Sequence, residues 1–138
     1  MSVATIATRL RNFLRAQATV NTYTGDRIFE TKPLQTKVDP YIVLRRVSTE
    51  NADVFNGNVG DPPLFYGIAV ECVSRHEWAA NAVADAVRTA LHLYRSTFDD
   101  TTAKGIFVDS ESLTFERFSD ASDDGMFTHT LDTRIALA

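Results

Sequence analysis

The sequence predicts an α+β fold, a mainly antiparallel sheet with two amphipathic helices packed on one face. Three observations carry that prediction. Apolar residues recur three or four apart over residues 3–16 and again over 75–95, as on helices with one buried stripe. They alternate with other residues over 64–72 and 127–137, the period of a strand with one core face. The elements follow in the order helix, strands, helix, strands, which favours helices laid on one side of an antiparallel sheet.

With 138 residues and 44% hydrophobic content the chain is expected to form a single domain, residues 1–138. At this size about two thirds of the unfolded surface is buried on folding, so the core needs no covalent staples. Cys72 is the lone cysteine, which excludes an intrachain disulfide framework and gives no sign of an oxidising compartment. No apolar run reaches the roughly 18 residues of a membrane span, and no signal-peptide apolar region opens the chain, so neither secretion nor insertion is expected. The net charge of −4, with scattered basic residues, argues against an electrostatic nucleic-acid footprint.

The first helix, residues 3–16, places Val3, Ile6, Leu10, Phe13 and Leu14 on one side, with Arg9, Arg11 and Arg15 largely opposite and Ser2 as N-cap. Tyr23-Thr24-Gly25-Asp26 is turn chemistry, and Arg27 to Glu30 forms a short strand before the Pro33 to Pro40 connection. Pro40 opens a second strand. Tyr41 to Leu44 is apolar on both faces while Arg45-Arg46-Val47-Ser48 is not, so this strand starts central and emerges toward solvent or a partner.

Between residues 49 and 63, Asn56-Gly57, Asn58, Gly60 and Pro62-Pro63 make a long polar loop. Beyond it Leu64, Tyr66, Ile68, Val70 and Cys72 face the core, and the two strands pair as a hairpin. Ser74-Arg75-His76-Glu77 fits a capping box with Val73 and Trp78 as its staple, which starts a helix at Arg75. Its buried stripe is expected to run Trp78, Ala79, Ala82, Val83, Ala86, Val87, Ala90, Leu91 and Tyr94. Strands at 113–117 and 127–137 close the chain through Asp123-Asp124-Gly125.

Catalytic patterns fail: the chain has no Gly-rich phosphate loop, no nucleophile elbow and no helical His-x-x-x-His pair. Cys72 reads as a buried inert thiol and His129 as a core or interface histidine, with His76 and His92 solvated near helix ends. His129 and Asp132 stand three apart on a strand and so face opposite ways, which disfavours a small hydrolase or isomerase built on them. Asp120 to Gly125 imitates half of an EF-hand loop, but Leu131 stands where the bidentate glutamate belongs; an acidic hairpin turn is expected, with no metal and no cofactor. Arg45-Arg46 reads as a solvated or salt-bridged strand end rather than a phosphate site.

Taken in order, Gly25-Asp26-Arg27-Ile28-Phe29, Pro40 to Ser48, the Gly57 loop, the strand through Val70 and the helix Ala79 to Leu91 resemble a family of phage tail-completion proteins, similar to the terminators of long-tailed bacteriophages. The resemblance covers about Ile6 to Leu91. It implies a non-enzymatic virion protein, assembled in the host cytoplasm, that forms a ring of six copies. That ring caps the tail tube, ends its polymerisation and joins it to the head connector, with DNA passing through the lumen without specific binding. Its implied partners are further copies of itself, the tail-tube protein and the connector. Another neck component, a head-completion adaptor or a tube-like protein, is the alternative. Ring closure needs a heterologous interface, for which Val54, Phe55, Asn58, Phe65, Arg45 and Arg46 are the candidate residues.

Overall fold

In the first helix, α1 (Val3–Arg15), the three-and-four spacing does what the pattern requires: Ile6, Ala7, Leu10, Phe13 and Leu14 are all buried. The structure is a computed structural model that describes residues 3–30, 38–51, 64–98, 101–117 and 124–137, so Ser2, the expected cap, lies outside it. A short helix that the pattern did not announce, α2 (Ala18–Thr24), follows directly, and its Val20 is fully buried. It stops at Gly25, whose φ of 56° is the left-handed conformation that only glycine adopts without strain.

From that turn Arg27 reaches across to donate from Nε to the carbonyl of Pro40 at 3.1 Å, while Arg15 Nη2 donates to the carbonyls of Asp26 and Ile28 at 3.0 and 3.1 Å. These bonds fix β1 (Ile28–Phe29) beside β2 (Tyr41–Asn51) in parallel, with Ile28 opposite Ile42. β2 pairs antiparallel with β3 (Leu64–Ser74), the hairpin expected from the alternating pattern. After α3 (Glu77–Leu91) come the two-residue β4 (Thr97–Phe98), β5 (Thr101–Arg117) and β6 (Gly125–Leu137). The sheet order is β1-β2-β3-β6-β5-β4, antiparallel at every junction but the first.

The buried cluster that the strands share with the helices lies on one side of this sheet. Tyr66, Ile68, Val70 and Cys72 of β3, with Ile42 and Leu44 of β2, Leu131 and Ile135 of β6 and Ile106 of β5, meet the apolar faces of α1 and α3. Each fully buried leucine or isoleucine contributes about 2 kcal/mol relative to exposure. Ala80 and Ala84, both wholly buried, let α3 lie close to the strands.

Three sequence expectations are corrected here. α3 begins at Glu77, not Arg75, and its N-cap His76 makes no side-chain cap bond. Its buried stripe runs through Ala79, Ala80, Val83, Ala84, Ala86, Val87 and Leu91, so Ala80 and Ala84 take the places expected of Ala82 and Ala90. Trp78 is 70% exposed, because it sits one step round the first turn from that stripe, beside His76 at 6.2 Å between ring centres.

Candidate functional site

Tyr41, Val43 and Arg45 of β2 and the odd-numbered positions of β3 point away from the helices, and no described helix covers them. A groove of about 650 Å³ runs across this face between Tyr41, Val43, Glu71, Val73, Thr114 and Thr130. Val43 and Val73 are buried in its floor even without a helix above them. At its side Arg45 pairs with Glu71 at 2.9 Å; Glu71 is largely covered, while the arginine side chain is 67% exposed. Burial, reinforced by the charges of Asp39 and Glu71, pushes the Tyr41 hydroxyl up from its ordinary value. The surface is therefore a mixed apolar and charged one, suited to contact rather than to proton transfer.

The polar chemistry of the helix side converges on Glu111 of β5. Arg88 of α3 donates to both its oxygens, from Nε to Oε2 at 2.7 Å and from Nη2 to Oε1, and also pairs with Asp85 at 2.7 Å. His129 of β6 lies between Glu111 Oε1 and Asn81 Oδ1, each 2.8 Å from a ring nitrogen. The hydrogen bonds from Arg88 hold the Glu111 carboxyl down at about 2, against the opposing effect of burial. Three elements are tied together by this network, which contains no nucleophile. Cys72, the register partner of His129, is fully buried, and desolvation drives its thiol well above the usual range, so it stays protonated and inert as the sequence indicated.

Of the six candidate interface residues, Val54, Phe55 and Asn58 lie outside the described residues, and Arg46 follows Arg45 in β2. Arg45 and Phe65 share the helix-free face but are separated, Arg45 standing opposite Ala69, four positions along β3 from Phe65. Phe65 is half-buried beneath the Arg134 guanidinium, 5.0 Å from its ring centre, and Arg134 also covers Phe107 at 5.3 Å. His129 and Asp132 do diverge, Asp132 accepting a bond from Ser110 instead. The imitation calcium loop lies mostly outside the described residues, and among those described no cluster of three metal-ligating side chains occurs.

What the sequence reading missed is an apolar margin along β5 and the start of α3. Leu113 and Phe115 are 41% and 42% exposed, Phe115 packs on Phe127 at 4.6 Å between ring centres, and Trp78 stands nearby across a cleft it shares with Phe127. The signal was present: Leu113 and Phe115 alternate with Ser112, Thr114 and Glu116, yet no helical pattern remains to cover them.

A family model described as tail completion protein gp17 matches residues 8–137. No curated protein matches the chain. Among solved structures, a chain of the virion of a native gene transfer agent particle has the same fold, with a TM-score of 0.72 at 18% identity, covering 99% of this chain and 97% of that one.

Proposed function

This chain belongs to the tail completion protein gp17 family, and from that membership we propose that it works as a ring that caps the phage tail tube, ends tube polymerisation and joins the tail to the head connector. Membership makes it a structural component of the virion, working in the tail or neck. The observation that carries the finer reading is the extent of the match, residues 8–137, which takes in the sheet and all but the first turns of α1. Its chemistry agrees. The polar network around Glu111 fastens α3 to the sheet rather than presenting a reactive group, and the helix-free face offers contact surface.

Six copies arranged head to tail would bring different surfaces of each subunit together and close on themselves. A net charge of −4 suits a lumen through which DNA slides without sticking. The partners are then further copies, the tail-tube protein and the head connector, with no cofactor involved. Particles assembled without this chain test the reading: tails of irregular length that carry no head are expected, and purified chain is expected to give uniform rings by negative-stain microscopy. Tails of normal length that merely fail to join heads would assign it to an adaptor role, and normal virions would overturn the reading.

A further inference from the structure

Among the described residues the sheet carries two open edges, one at each end. At one end β1 pairs with β2 only at Ile42 and Val43, and among the described residues no strand continues along β2 from Arg45 to Asn51. At the other, β4 pairs with β5 only at Thr101 and Thr102; the segment between α3 and β4 bonds to the β5 backbone as far as Val108. From Asp109 to Arg117 no described strand covers β5. An open edge presents a row of unpaired amides and carbonyls, a ready template for another strand.

We infer that the β5 edge, Asp109–Arg117, pairs antiparallel with the β2 edge, Arg45–Asn51, of a second copy of this chain, so that the sheet continues from subunit to subunit. This deepens the ring reading and rests on it. Strand polarity makes a second copy the fitting occupant. β2 and β6 run one way while β3 and β5 run the other, so a copy in the same orientation brings its β2 antiparallel to β5; because the register sets the two open stretches at opposite ends of the sheet, level only at Arg45 and Ser110, the copy is displaced along the strands until Arg45–Asn51 meets Asp109–Arg117. The helices of both copies then lie on the same side, leaving the helix-free faces continuous. Two different edges meet, which is the heterologous contact that a closed ring needs.

Charge and apolar exposure support the pairing. The two stretches are opposite in sign, with Asp109, Glu111 and Glu116 against Arg117 along β5 and Arg45 and Arg46 against Glu50 along β2, and of these Asp109, Glu111 and Arg45 already pair within the chain with Arg134, Arg88 and Glu71. Leu113 and Phe115, half-exposed in one copy, would be covered by the neighbour.

Sedimentation equilibrium of the full chain over a wide concentration range tests this, with circular dichroism melts as the control for folding. The parent is expected to associate, and Leu113→Lys with Phe115→Lys to weaken association at least tenfold while leaving the melt nearly unchanged. Leu113→Ser with Phe115→Ser supplies a gentler variant if the lysines unfold the chain. Arg45→Glu blocks the opposite edge. Mixing the β5 and β2 variants leaves one intact edge on each, so the mixture is expected to form dimers and nothing larger. Parent and variants that associate equally would overturn the pairing and leave the ring reading standing. Dimers through these edges without closed rings would keep the pairing and remove the ring. A parent that stays monomeric at every concentration overturns the pairing.

Discussion

Glu111 and His129 meet diagonally across the β5–β6 pair, Oε1 2.8 Å from Nε2, because Glu111 stands opposite Leu131 and His129 opposite Leu113 in the register. Asn81 holds the other ring nitrogen and Arg88 the rest of the carboxylate, so α3 is joined to both C-terminal strands through ionised or polar groups rather than through apolar contact alone.

That network makes stability pH-dependent on the acid side. The Glu111 carboxyl is lowered by Arg88 from its ordinary 4.5 to about 2, so folding gains from it fully above pH 4.5 and loses the gain as pH falls from there toward 2. Because Glu111 is partly exposed and solvent screens the pair, the loss should be about 1 kcal/mol. Glu111→Gln should lower the neutral-pH midpoint by a similar amount and flatten the acid limb. Thermal melts of both proteins between pH 2 and 7 measure it, and parallel acid limbs would show that other carboxylates govern the transition.

Ser74→Ala should destabilise by about 1–3 kcal/mol, the usual cost of breaking up a buried polar pair. The buried Ser74 hydroxyl donates to Asp39 Oδ2 at 2.7 Å and accepts from the His76 amide at 3.1 Å; the same Asp39 oxygen accepts from the Arg75 amide at 2.9 Å. Burial pushes the Asp39 carboxyl up, but the bonds from Ser74 and Arg75 outweigh it and leave the group below its ordinary value. Losses from Ser74→Ala and Asp39→Ala should therefore sum to clearly more than the double variant loses. Additive losses in denaturant melts would show that the two residues act separately.

Ser74 also shows where the sequence stopped being legible. The capping box, Ser and Glu three apart, marked a helix start at Arg75, two residues before the start at Glu77 that the fold adopts. It could not show that Ser74 ends a strand and takes its partner from Asp39, 35 residues away, because that contact exists only once the sheet has formed. Of the β2–β3 hairpin, β3 was readable from alternation and β2 from the apolar run that follows Pro40. β4, two residues long, was not, and α2 has too few apolar positions in its seven residues for a period to appear. Of the candidate interface residues, Arg45 was legible as a salt-bridged charge but not in its place, since β2 continues past it to Asn51 rather than ending there, and the open edge of β5 follows from sheet order, which a single sequence does not state.

Gly125→Ala should cost about 1–3 kcal/mol through overpacking. Gly125 pairs with Arg117, and a Cβ there would lie 2.2 Å from the Glu116 carbonyl oxygen and 2.9 Å from Arg117 Cα, both backbone atoms that cannot swing aside. Thermal melts against a Thr130→Ala control should show the larger drop for Gly125→Ala. Equal drops would mean that the end of the β5–β6 pair opens freely.

Trp78 decides between the helical stripe read from sequence and the one the fold adopts. Had it headed the buried face of α3, Trp78→Ala would remove a large core side chain and cost about 3–5 kcal/mol. The ring is instead 70% exposed and rests beside His76, so little apolar area is lost to water on truncation, and surface changes of this kind fall within about 0.5 kcal/mol. The midpoint of thermal unfolding should therefore stay within about 2 °C of the parent, given the size scaling of melting temperatures. Ala84→Leu supplies the contrast, since Ala84 is wholly buried and its enlargement should cost about 1–3 kcal/mol by overpacking. A large loss for Trp78→Ala with none for Ala84→Leu would rotate α3 about its axis and return Trp78 to the core.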